Sequence, residues 1–397
     1  MLIEPGLTTS RRDFVSAVTA ASASRVVGAN DRVRIGIIGT GGRGSYLMRE
    51  ANKCPNVQWA AVCDAWDQRR DKALELTGPG AEKYADYRAL LDRKDIDGVI
   101  VATWDNTHSQ ISIDACRAGK DVYVEKPMTS QPLQGPPLVK AVREHRRVLQ
   151  TGVQQRSTAH FLEAKQRFID SGQIGRVHMV RTIWNNNNGY RLAPPPGMEH
   201  KPPGLDWEAC LGSLPKIPWD PKRYFNRFSY MDLCCGQTGG LFVHMVDVVQ
   251  WFLGITRPAS VVALGGIYEF NDGRDTPDNV NLVAEYPEKL TVTFEASVTD
   301  RVAAESADIV FLGSGGRLHI FRSGYRFLQA GSRGAAAAVT AKGVPDRHMQ
   351  NWIDCIRSRK EPNATVEQGH FGAMACHMGN IAWMEKRLVA WRQEWDI

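Results

Sequence analysis

A glycine-rich turn between an apolar strand and a helix constrains the fold of this chain more than any other feature. Residues 33–38 form a short apolar run, and residues 39–44 directly behind it read Gly-Thr-Gly-Gly-Arg-Gly. In this G-x-G-x-x-G spacing Gly39 permits a tight turn, Gly41 lets the backbone approach a pyrophosphate, and Gly44 allows close packing of helix on strand. Helical sequence follows, so the free N–H groups at the start of that helix would face the phosphates.

An acidic residue completes the pattern at the end of the next apolar run. Residues 57–63 are typical of a strand, and Asp64 follows them, about 20 residues after Gly44. A carboxylate at this point would bind the 2′-hydroxyl of the adenosine ribose and repel a 2′-phosphate. Strand, glycines, helix, strand and acid in this order therefore predict a dinucleotide site that takes NAD, with NADP less favoured.

The alternation of strand and helix continues along the first half of the chain. The predicted elements are a helix over 67–77, a strand over 98–103, a helix over 108–118 and a strand over 121–124. Alternation of this kind implies a parallel, doubly wound sheet, and ligands of such sheets bind beyond the carboxyl ends of the strands. Thr103, the 105–108 turn and Glu125-Lys126 all fall at such ends.

The tripeptide Glu125-Lys126-Pro127 places a lysine at one of these strand ends. A proline ring clashes with a helical residue before it, so Pro127 favours an extended conformation at Lys126. A lysine fixed beside the cofactor site can reach a substrate hydroxyl, and burial would lower its pKa and ease proton exchange near neutral pH. We predict Lys126 as a catalytic residue; a surface lysine before a turn proline is the alternative.

Charge and cysteine content exclude several classes of protein. The net charge is +6, the isoelectric point is near 8.9 and no long basic block occurs, which does not indicate nucleic-acid binding. No apolar stretch approaches about 18 residues, so no membrane insertion is predicted. The eight cysteines include no Cys-x-x-Cys pair, and we predict neither a metal site nor a disulfide framework.

The N-terminal segment has the pattern of an export signal. Arg11-Arg12 lies within Ser-Arg-Arg-Asp-Phe, and a stretch of mostly small residues follows over 15–23. This resembles a twin-arginine signal; a loose N-terminal tail is the alternative. We predict a targeting tail over residues 1–30 and a periplasmic or secreted protein, with a cytoplasmic location as the alternative.

Together these residues resemble the glucose-fructose oxidoreductase, inositol dehydrogenase and rhizopine-catabolism (Gfo/Idh/MocA) oxidoreductases. The matching segments spread over nearly the whole chain after the tail: 39–44, Asp64, 103–108, 114–120, 125–127, 152–156, 236–247 and 348–391. The resemblance implies a Rossmann domain over 31–155 and an α+β domain over 156–397, built on a large open, mostly antiparallel sheet. A face of that sheet would carry a sugar-like substrate, and the sheet would mediate a homo-oligomer, either a dimer or a tetramer.

The resemblance also implies which residues hold the cofactor. Carried over by position, they are Gly39, Gly41, Gly42, Arg43, Gly44, Asp64, Thr103, Asn106, His108, Glu125, Lys126 and Gln154. The Lys-Pro peptide bond is cis in some relatives, which makes Lys126–Pro127 a candidate for a cis bond in this chain.

In the second half, a predicted helix over 240–252 carries His244. A histidine pKa lies near working pH, so His244 is a candidate general acid or base; a structural histidine is the alternative. The resembled family places an aspartate one turn before this histidine, where this chain has Gly240. Asp247 or Asp232 could take its place, and the sequence leaves that open.

A proline-rich segment lies within the second half. Residues 194–221 contain eight prolines, too many for a strand or a helix. We interpret the segment as a loop that wraps over the cleft; packing or an oligomer contact is the alternative. The candidate substrate-binding residues are Arg156, Asn187, Tyr190, Trp207, His244 and Asp247.

The predicted activity is hydride transfer between nicotinamide and a secondary alcohol of a sugar, cyclitol or glycoside, with Lys126 and His244 exchanging the hydroxyl proton. Two alternatives stay open. Some members of the resembled family keep NAD bound and cleave glycosides through transient oxidation and elimination, so one alternative is an NAD-dependent glycoside hydrolase or lyase. The other is a non-catalytic sensor of NAD or sugar, because a fold does not fix a function.

Overall fold

The computed structural model describes residues 32–186, 193–300, 306–332, 334, 337–340 and 347–397. The predicted export signal and two candidate substrate-binding residues, Asn187 and Tyr190, lie outside these ranges and stay predictions. Within the described ranges no helix is both long enough and apolar enough to span a bilayer.

Six of the described strands form a parallel sheet in the first half of the chain. They are β1 (Val33–Ile38), β2 (Val57–Cys63), β3 (Glu82–Tyr84), β4 (Gly98–Val101), β5 (Asp121–Val124) and β6 (Leu149–Thr151). The helices of this half are α1 (Gly42–Asn52), α2 (Asp67–Leu74), α3 (Tyr87–Leu91), α4 (Asp105–Arg117) and α5 (Gly135–Glu144). The strand order β3-β2-β1-β4-β5-β6 is that of doubly wound dinucleotide-binding folds, which confirms the fold class predicted for this half.

The central strands of this sheet carry apolar side chains on both faces. Ile35, Ile37, Val99 and Val101 are all buried. Continuous apolar runs of this kind are typical of a parallel sheet that is covered on both faces by helices. The turns at the carboxyl ends of the strands are therefore built on a fully packed layer.

The second half contains a larger mixed sheet. Its described strands are β7 (Val177–Asn185), β8 (Ser260–Gly266), β9 (Asn279–Tyr286), β10 (Leu290–Ser297), β11 (Ser306–Gly313), β12 (Gly316–Phe321), β13 (Gly324–Gln329), β14 (Ala337–Thr340) and β15 (Val389–Ala390). Their spatial order is β14-β13-β12-β11-β7-β10-β9-β8-β15. β7 and β10 pair in parallel and the other described neighbours pair antiparallel. The mostly antiparallel sheet predicted for this half is confirmed.

The described helices of the second half serve both sheets. They are α6 (Ala159–Ala164), α7 (Trp207–Leu211), α8 (Pro221–Phe225), α9 (Val243–Leu253), α10 (His348–Ser358) and α11 (Val366–Glu385). Helices α9 and α11 pack in one core with the inward side chains of the mixed sheet, such as Leu282 and Tyr286 of β9. The opposite face exposes apolar side chains such as Leu264 and Val283. Alternation along β9 places one row of side chains in the core and the other in solvent.

Helix α10 returns to the first sheet. Met349, Trp352 and Ile356 are buried in one cluster with β1 and α1. Gly98 makes this close approach possible, because a Cβ there would lie 3.0 Å from both the Trp352 and the Ile356 side chains. The boundary predicted at 155/156 stays a prediction, and the chain after it contributes to the packing of both sheets.

The proline-rich segment and the residues after it pack across the carboxyl ends of β2 and β4. We call residues 198–233 the cover segment. The backbone N of Asp206 donates to Ala65 O at 2.8 Å, and the backbone N of Asp67 donates to Gly204 O at 3.1 Å. Apolar side chains from the cover segment and the end of β2 form a separate buried cluster: Trp66, Leu205, Trp207, Leu211, Tyr224, Tyr230 and Leu233. The segment is therefore joined to the residues that follow β2 by both backbone bonds and apolar packing.

Candidate active site

The glycine turn between β1 and α1 leaves no room for a side chain at Gly39 or Gly44. Gly39 has a φ of +91°, and a Cβ there would lie 2.6 Å from the Ala102 carbonyl; a Cβ on Gly44 would lie 2.0 Å from Gly39 O. At Gly42, the first residue of α1, nothing lies within 4 Å of the Cβ position. Its N-cap is Gly41, which has no side chain to cap the helix. The N–H groups of α1 therefore face open space, and the residues present fit a dinucleotide pyrophosphate.

Asp64 lies at the carboxyl end of β2, beside this turn. Its Oδ2 accepts a hydrogen bond from the backbone N of Thr40 at 2.7 Å, and its Oδ1 accepts one from the backbone N of Trp66 at 2.9 Å. The Arg69 guanidinium lies 5.6 Å from the centroid of the Trp66 ring. The two backbone N–H groups hold the carboxylate at the edge of the turn, where a bound dinucleotide would place a ribose.

A cavity of about 620 Å³ opens at the carboxyl ends of β4 and β5. Seven of the residues predicted from the sequence line it: Arg43, Thr103, His108, Glu125, Lys126, Gln154 and His244. The others that line it are Tyr46, Ala102, Asp105, Gln155, Thr158, Phe161, Arg227, Phe228 and Arg322. Because these residues come from both halves of the chain, the cavity lies between the first sheet and the helices and turns of the second.

Lys126 projects into this cavity from the end of β5. Its Nζ donates a hydrogen bond to the main-chain carbonyl of Gly240 at 2.9 Å. Burial lowers the pKa of Lys126 below its usual value, and the nearby carboxylates Glu125 and Asp105 oppose that shift. The peptide bond between Lys126 and Pro127 is cis, as predicted. The amine is therefore held at a strand end in an environment that favours its neutral form.

Glu125 is held by two side chains, one from α1 and one from the turn after β6. The Arg43 guanidinium contacts Glu125 Oε1 through Nη2 at 2.7 Å and Nε at 2.8 Å, and Gln154 Nε2 lies 3.4 Å from the same oxygen. A Cβ on Gly152 would lie 2.9 Å from Glu125 Oε1. The carboxylate therefore connects the glycine turn to the strand end that carries Lys126.

His108 and Asn106 position loops around the cavity. The Nδ1 of His108 lies 2.8 Å from Pro127 O, and its Nε2 lies 3.2 Å from Thr103 O. Asn106 was predicted on the nicotinamide side, but its Nδ2 donates to Leu211 O of the cover segment at 2.9 Å. His108 lines the cavity and Asn106 does not, because the amide is used to attach the cover segment to α4.

His244 faces Lys126 from the first turn of α9. Its Nδ1 makes no hydrogen bond with any residue that the structure describes, and its ring lies 5.8 Å from the Trp184 ring, tilted by 34°. Burial lowers the pKa of His244 well below its ordinary value, and the positive charges of Lys126 and Arg322 lower it further. The imidazole is therefore neutral at pH 7.

Arg156 and Asp247, predicted as substrate-binding residues, form a buried ion pair with each other. Arg156 Nε lies 2.9 Å from both carboxylate oxygens of Asp247, and the two side chains are only 3% and 2% exposed. Neither residue lines the cavity. A buried guanidinium requires a carboxylate partner, and Asp247 on α9 supplies it to Arg156. Burial raises the pKa of Asp247 to about 6 although Arg156 opposes the shift. Asp232 pairs with Arg223 instead, so neither aspartate orients His244.

Trp207, predicted as a sugar contact, does not line the cavity. It is buried in the aromatic cluster of the cover segment, and its Nε1 donates to Ile217 O at 2.9 Å. Its indole packs edge-on against Trp219, with ring centroids 5.3 Å apart. The alternative interpretation, packing, describes this residue.

Some cavity residues have no signature in the sequence. Arg227 and Phe228 come from a short helical turn in the cover segment, and Arg322 follows β12. No motif surrounds them, and only the tertiary fold brings them to the cavity. Asp105 and Gln155, by contrast, lie next to residues already predicted, so adjacency along the chain could have identified them.

Two models of one protein family match the chain. One, described as an oxidoreductase family with an NAD-binding Rossmann fold, matches residues 33–153. The other, described as the GFO/IDH/MocA C-terminal domain, matches residues 217–319. Together they match more than half of the chain and include most of the residues that line the cavity.

Similar proteins act on cyclitols and sugars. Inositol 2-dehydrogenase of Salmonella typhimurium (strain LT2) is 30% identical over 189 residues, which are 47% of this chain and 54% of that enzyme. Inositol 2-dehydrogenase 2 of Saccharopolyspora erythraea is 34% identical over 249 residues, 61% of each chain. The chain thus matches a little over half the length of these relatives. A solved structure of levoglucosan dehydrogenase with NADH and levoglucosan has a TM-score of 0.72 at 17% identity, covering 90% of this chain and 99% of that one; this likeness concerns the fold.

Proposed function

Because this chain belongs to the GFO/IDH/MocA oxidoreductases with an NAD-binding Rossmann fold, we propose that it is an NAD-dependent dehydrogenase of a sugar, cyclitol or glycoside. The observation that carries the proposal is a lysine amine and a neutral imidazole facing one cavity beside the glycine turn. The activities of the inositol and levoglucosan dehydrogenases support it. A panel of sugars and cyclitols with NAD⁺, followed through the absorbance of reduced nicotinamide, tests it; no reduction with any member would contradict it.

The side chains of the cavity suit the proton half of this reaction. NAD, when bound, supplies the acceptor for the hydride that leaves the carbinol carbon. Lys126, as the free amine, accepts the proton of the substrate hydroxyl as that hydride leaves, so that a carbonyl forms and the lysine becomes an ammonium. His244 binds the same hydroxyl through its neutral ring. The hydrogen bond to Gly240 O fixes the position of the Lys126 amine.

We expect the pH profile of sugar oxidation to report Lys126. Since burial lowers the pKa of this amine, kcat/KM should rise with pH through a midpoint below about 10.4, the value of a solvated lysine. The kcat/KM of the reverse reaction, which needs the ammonium form of Lys126, should fall over the same pH range. His244 is already neutral, so no break near pH 6.5 should appear. Profiles measured in both directions check this, and a midpoint at or above the solvated value would contradict it.

We propose that the enzyme prefers NAD to NADP because of Asp64. Its carboxylate is held by two backbone N–H groups at the end of β2, where it would bind a ribose hydroxyl and repel a phosphate. Asp64→Asn removes the charge and keeps an acceptor for one of those two N–H groups, which bond to different oxygens. The ratio of kcat/KM for NADP over NAD should then rise by about tenfold or more, as loss of roughly 1.4 kcal/mol of repulsion implies.

The control for this substitution lies on the helix that follows Asp64. Asp71 is exposed on α2 and pairs with Lys83, so Asp71→Asn removes the same charge without touching the turn. The coenzyme ratio of this variant should equal that of the parent protein. Equal ratios in Asp64→Asn and Asp71→Asn would remove Asp64 from coenzyme selection.

A second candidate function is glycoside cleavage that returns the hydride to the same sugar. The observation that favours it is the cover segment, which is bonded to the residues following β2, where Asp64 would hold the ribose. Such a cover would slow the exchange of a bound dinucleotide. Product release and nicotinamide absorbance measured together separate the two functions. Net reduced coenzyme indicates the dehydrogenase, and sugar release without it indicates the cleaving enzyme.

We also propose that the chain forms a homo-oligomer through the open face of the mixed sheet. On this face Leu264 is 73% exposed, and Val262 lies opposite Val283 across the β8–β9 pair. Exposed apolar neighbours of this kind mark contact surfaces. Leu264→Glu should lower the molar mass measured by light scattering after gel filtration, whereas Glu285→Gln on the same face should leave it unchanged. A parent protein that is already monomeric would contradict the proposal.

A further inference from the structure

One buried carboxylate of this protein has no hydrogen-bonding partner among the described residues. Seven carboxylate side chains are buried in the part of the chain that the structure describes. Six of them accept a hydrogen bond from an N–H group of the protein: Glu50, Asp64, Asp121, Glu125, Asp247 and Asp278. The seventh is Asp105, which is 4% exposed and makes neither a hydrogen bond nor an ion pair with any described residue. Because buried polar groups are almost always hydrogen-bonded, the donors for Asp105 come from the cavity.

Asp105 lies beside the proposed reacting groups. It is the first residue of α4, shortly after the carboxyl end of β4, and it lines the cavity together with Lys126 and His244. The free N–H groups of the first helical turn stabilise a negative charge at this point. The same charge raises the pKa of Lys126 against the effect of burial. The backbone therefore holds a carboxylate in the cavity, where it interacts electrostatically with the lysine.

The carboxylate of Asp105 offers two hydrogen-bond acceptors and no donor. A ligand that displaces water from the cavity loses affinity unless its own groups replace the hydrogen bonds that the water made. Two neighbouring hydroxyl groups can donate to the two oxygens in parallel, and hydrogen bonds to an ionised acceptor are stronger than those to a neutral one. The chemistry that suits Asp105 is therefore a vicinal diol, meaning two hydroxyl groups on adjacent carbons.

We propose, on the basis of the function proposed above, that Asp105 binds a vicinal diol of a ligand in this cavity and so determines which ligands bind. Two reactants of that function carry such a diol: the sugar or cyclitol substrate, and the ribose next to the nicotinamide. A site that bonds a hydroxyl group rejects an analogue without it, because a buried polar group is then left unpaired. The rule applies to either source of the diol, and the experiments below distinguish the two.

Asp105→Asn tests the proposal, since it keeps the shape of the side chain but removes the charge and one of the two acceptors. The substrate source is tested with the sugar or cyclitol of highest kcat/KM and with its monodeoxy analogues that keep the reacting hydroxyl. The parent protein should prefer the full polyol over at least one analogue by about ten- to a hundredfold, the usual value of hydrogen bonds to a charged group. Asp105→Asn should lose most of that preference and bind NADH as the parent protein does.

The coenzyme source is tested by calorimetric titration with NADH and with ADP. If Asp105 binds the ribose next to the nicotinamide, Asp105→Asn should weaken the binding of NADH by about ten- to a hundredfold. The affinity for ADP, which lacks this ribose, should stay unchanged and so show that the variant is folded. Weaker binding of both NADH and ADP would indicate a general structural role and would overturn the proposal.

The pH profile provides a readout that a purely structural role would not change. Loss of the negative charge at position 105 lowers the pKa of Lys126, so the midpoint of kcat/KM for sugar oxidation should move to lower pH in Asp105→Asn. An unchanged midpoint would show that the carboxylate does not face the amine and would contradict the proposal. Asp92→Asn removes the same charge at the exposed end of α3, outside the cavity, and should match the parent protein in every measurement.

The remaining outcomes separate this inference from the proposed dehydrogenase. If the parent protein turns over a polyol, and Asp105→Asn changes neither its selectivity nor its NADH affinity, the diol is contradicted and the dehydrogenase proposal stands. If nothing is turned over, the dehydrogenase proposal fails, and binding alone decides the inference. Weaker binding of NADH but not ADP then supports it, as does lost discrimination between myo-inositol and its monodeoxy analogues in the NADH-loaded protein. No change in either titration overturns it.

Discussion

Replacing Lys126 by alanine is expected to lower kcat/KM for sugar oxidation by about 10²–10⁴-fold, the usual contribution of a positioned acid or base. The affinity for NAD should change little, because the amine bonds to Gly240 O and not to the glycine turn. Steady-state kinetics and calorimetric titration with NAD⁺ measure the two effects separately. A small primary amine added to the variant should restore part of the rate, since it supplies the missing base.

The control for this variant is Lys140→Ala on α5. That side chain is 72% exposed and does not line the cavity. The kinetics and the NAD affinity of this variant should therefore match those of the parent protein. A Lys126→Ala enzyme with parental turnover would remove this residue from the mechanism. A variant that loses NAD affinity together with turnover would show that the lysine acts in coenzyme binding instead.

Replacing Asp247 by asparagine is expected to destabilise the protein by about 3–5 kcal/mol. The substitution leaves the Arg156 guanidinium buried without its partner, since both carboxylate oxygens lie 2.9 Å from Arg156 Nε. Equilibrium unfolding in denaturant measures the change in the free energy of unfolding. Removing both charges, as in Arg156→Met with Asp247→Leu, should recover most of that stability, because no isolated charge remains.

An exposed ion pair provides the comparison for this experiment. Asp396 pairs with Arg257 on the surface, where the two side chains are 41% and 50% exposed. Asp396→Asn should therefore cost no more than about 1 kcal/mol. If Asp247→Asn costs as little as the surface substitution, the pair is not the buried contact that its geometry indicates.

The first half of the chain could be predicted closely because its signals are local. The turn from Gly39 to Gly44 is fixed by steric contacts within a few residues and with the next strand, and Asp64 follows β2 directly. Lys126 could be placed because its neighbours determine where β5 ends. Each of these inferences needs only the sequence period and the rule that ligands meet the carboxyl ends of parallel strands.

The resemblance predicted the mostly antiparallel sheet of the second half, but the side-chain contacts there could not be predicted, because they join distant segments. The spacing of His244 and Asp247 puts both on one helix, but it does not reveal that Arg156, 91 positions away, occupies the carboxylate. Arg322 reaches the cavity only because β12 ends beside it. Likewise, Trp207 looks like a sugar-stacking residue in a loop, and only the packed cluster shows that it is a core residue.

The return of α10 to the first sheet has a consequence for how the protein is made. Chains fold as they leave the ribosome, and early domains usually fold first. Here the layer that contains Ile35 is completed by Trp352 and Ile356, which are synthesised long after the strands of the first sheet. The nucleotide half therefore cannot complete this layer before α10 has been translated, and a chain cut before α10 exposes apolar surface on the half that precedes the cut.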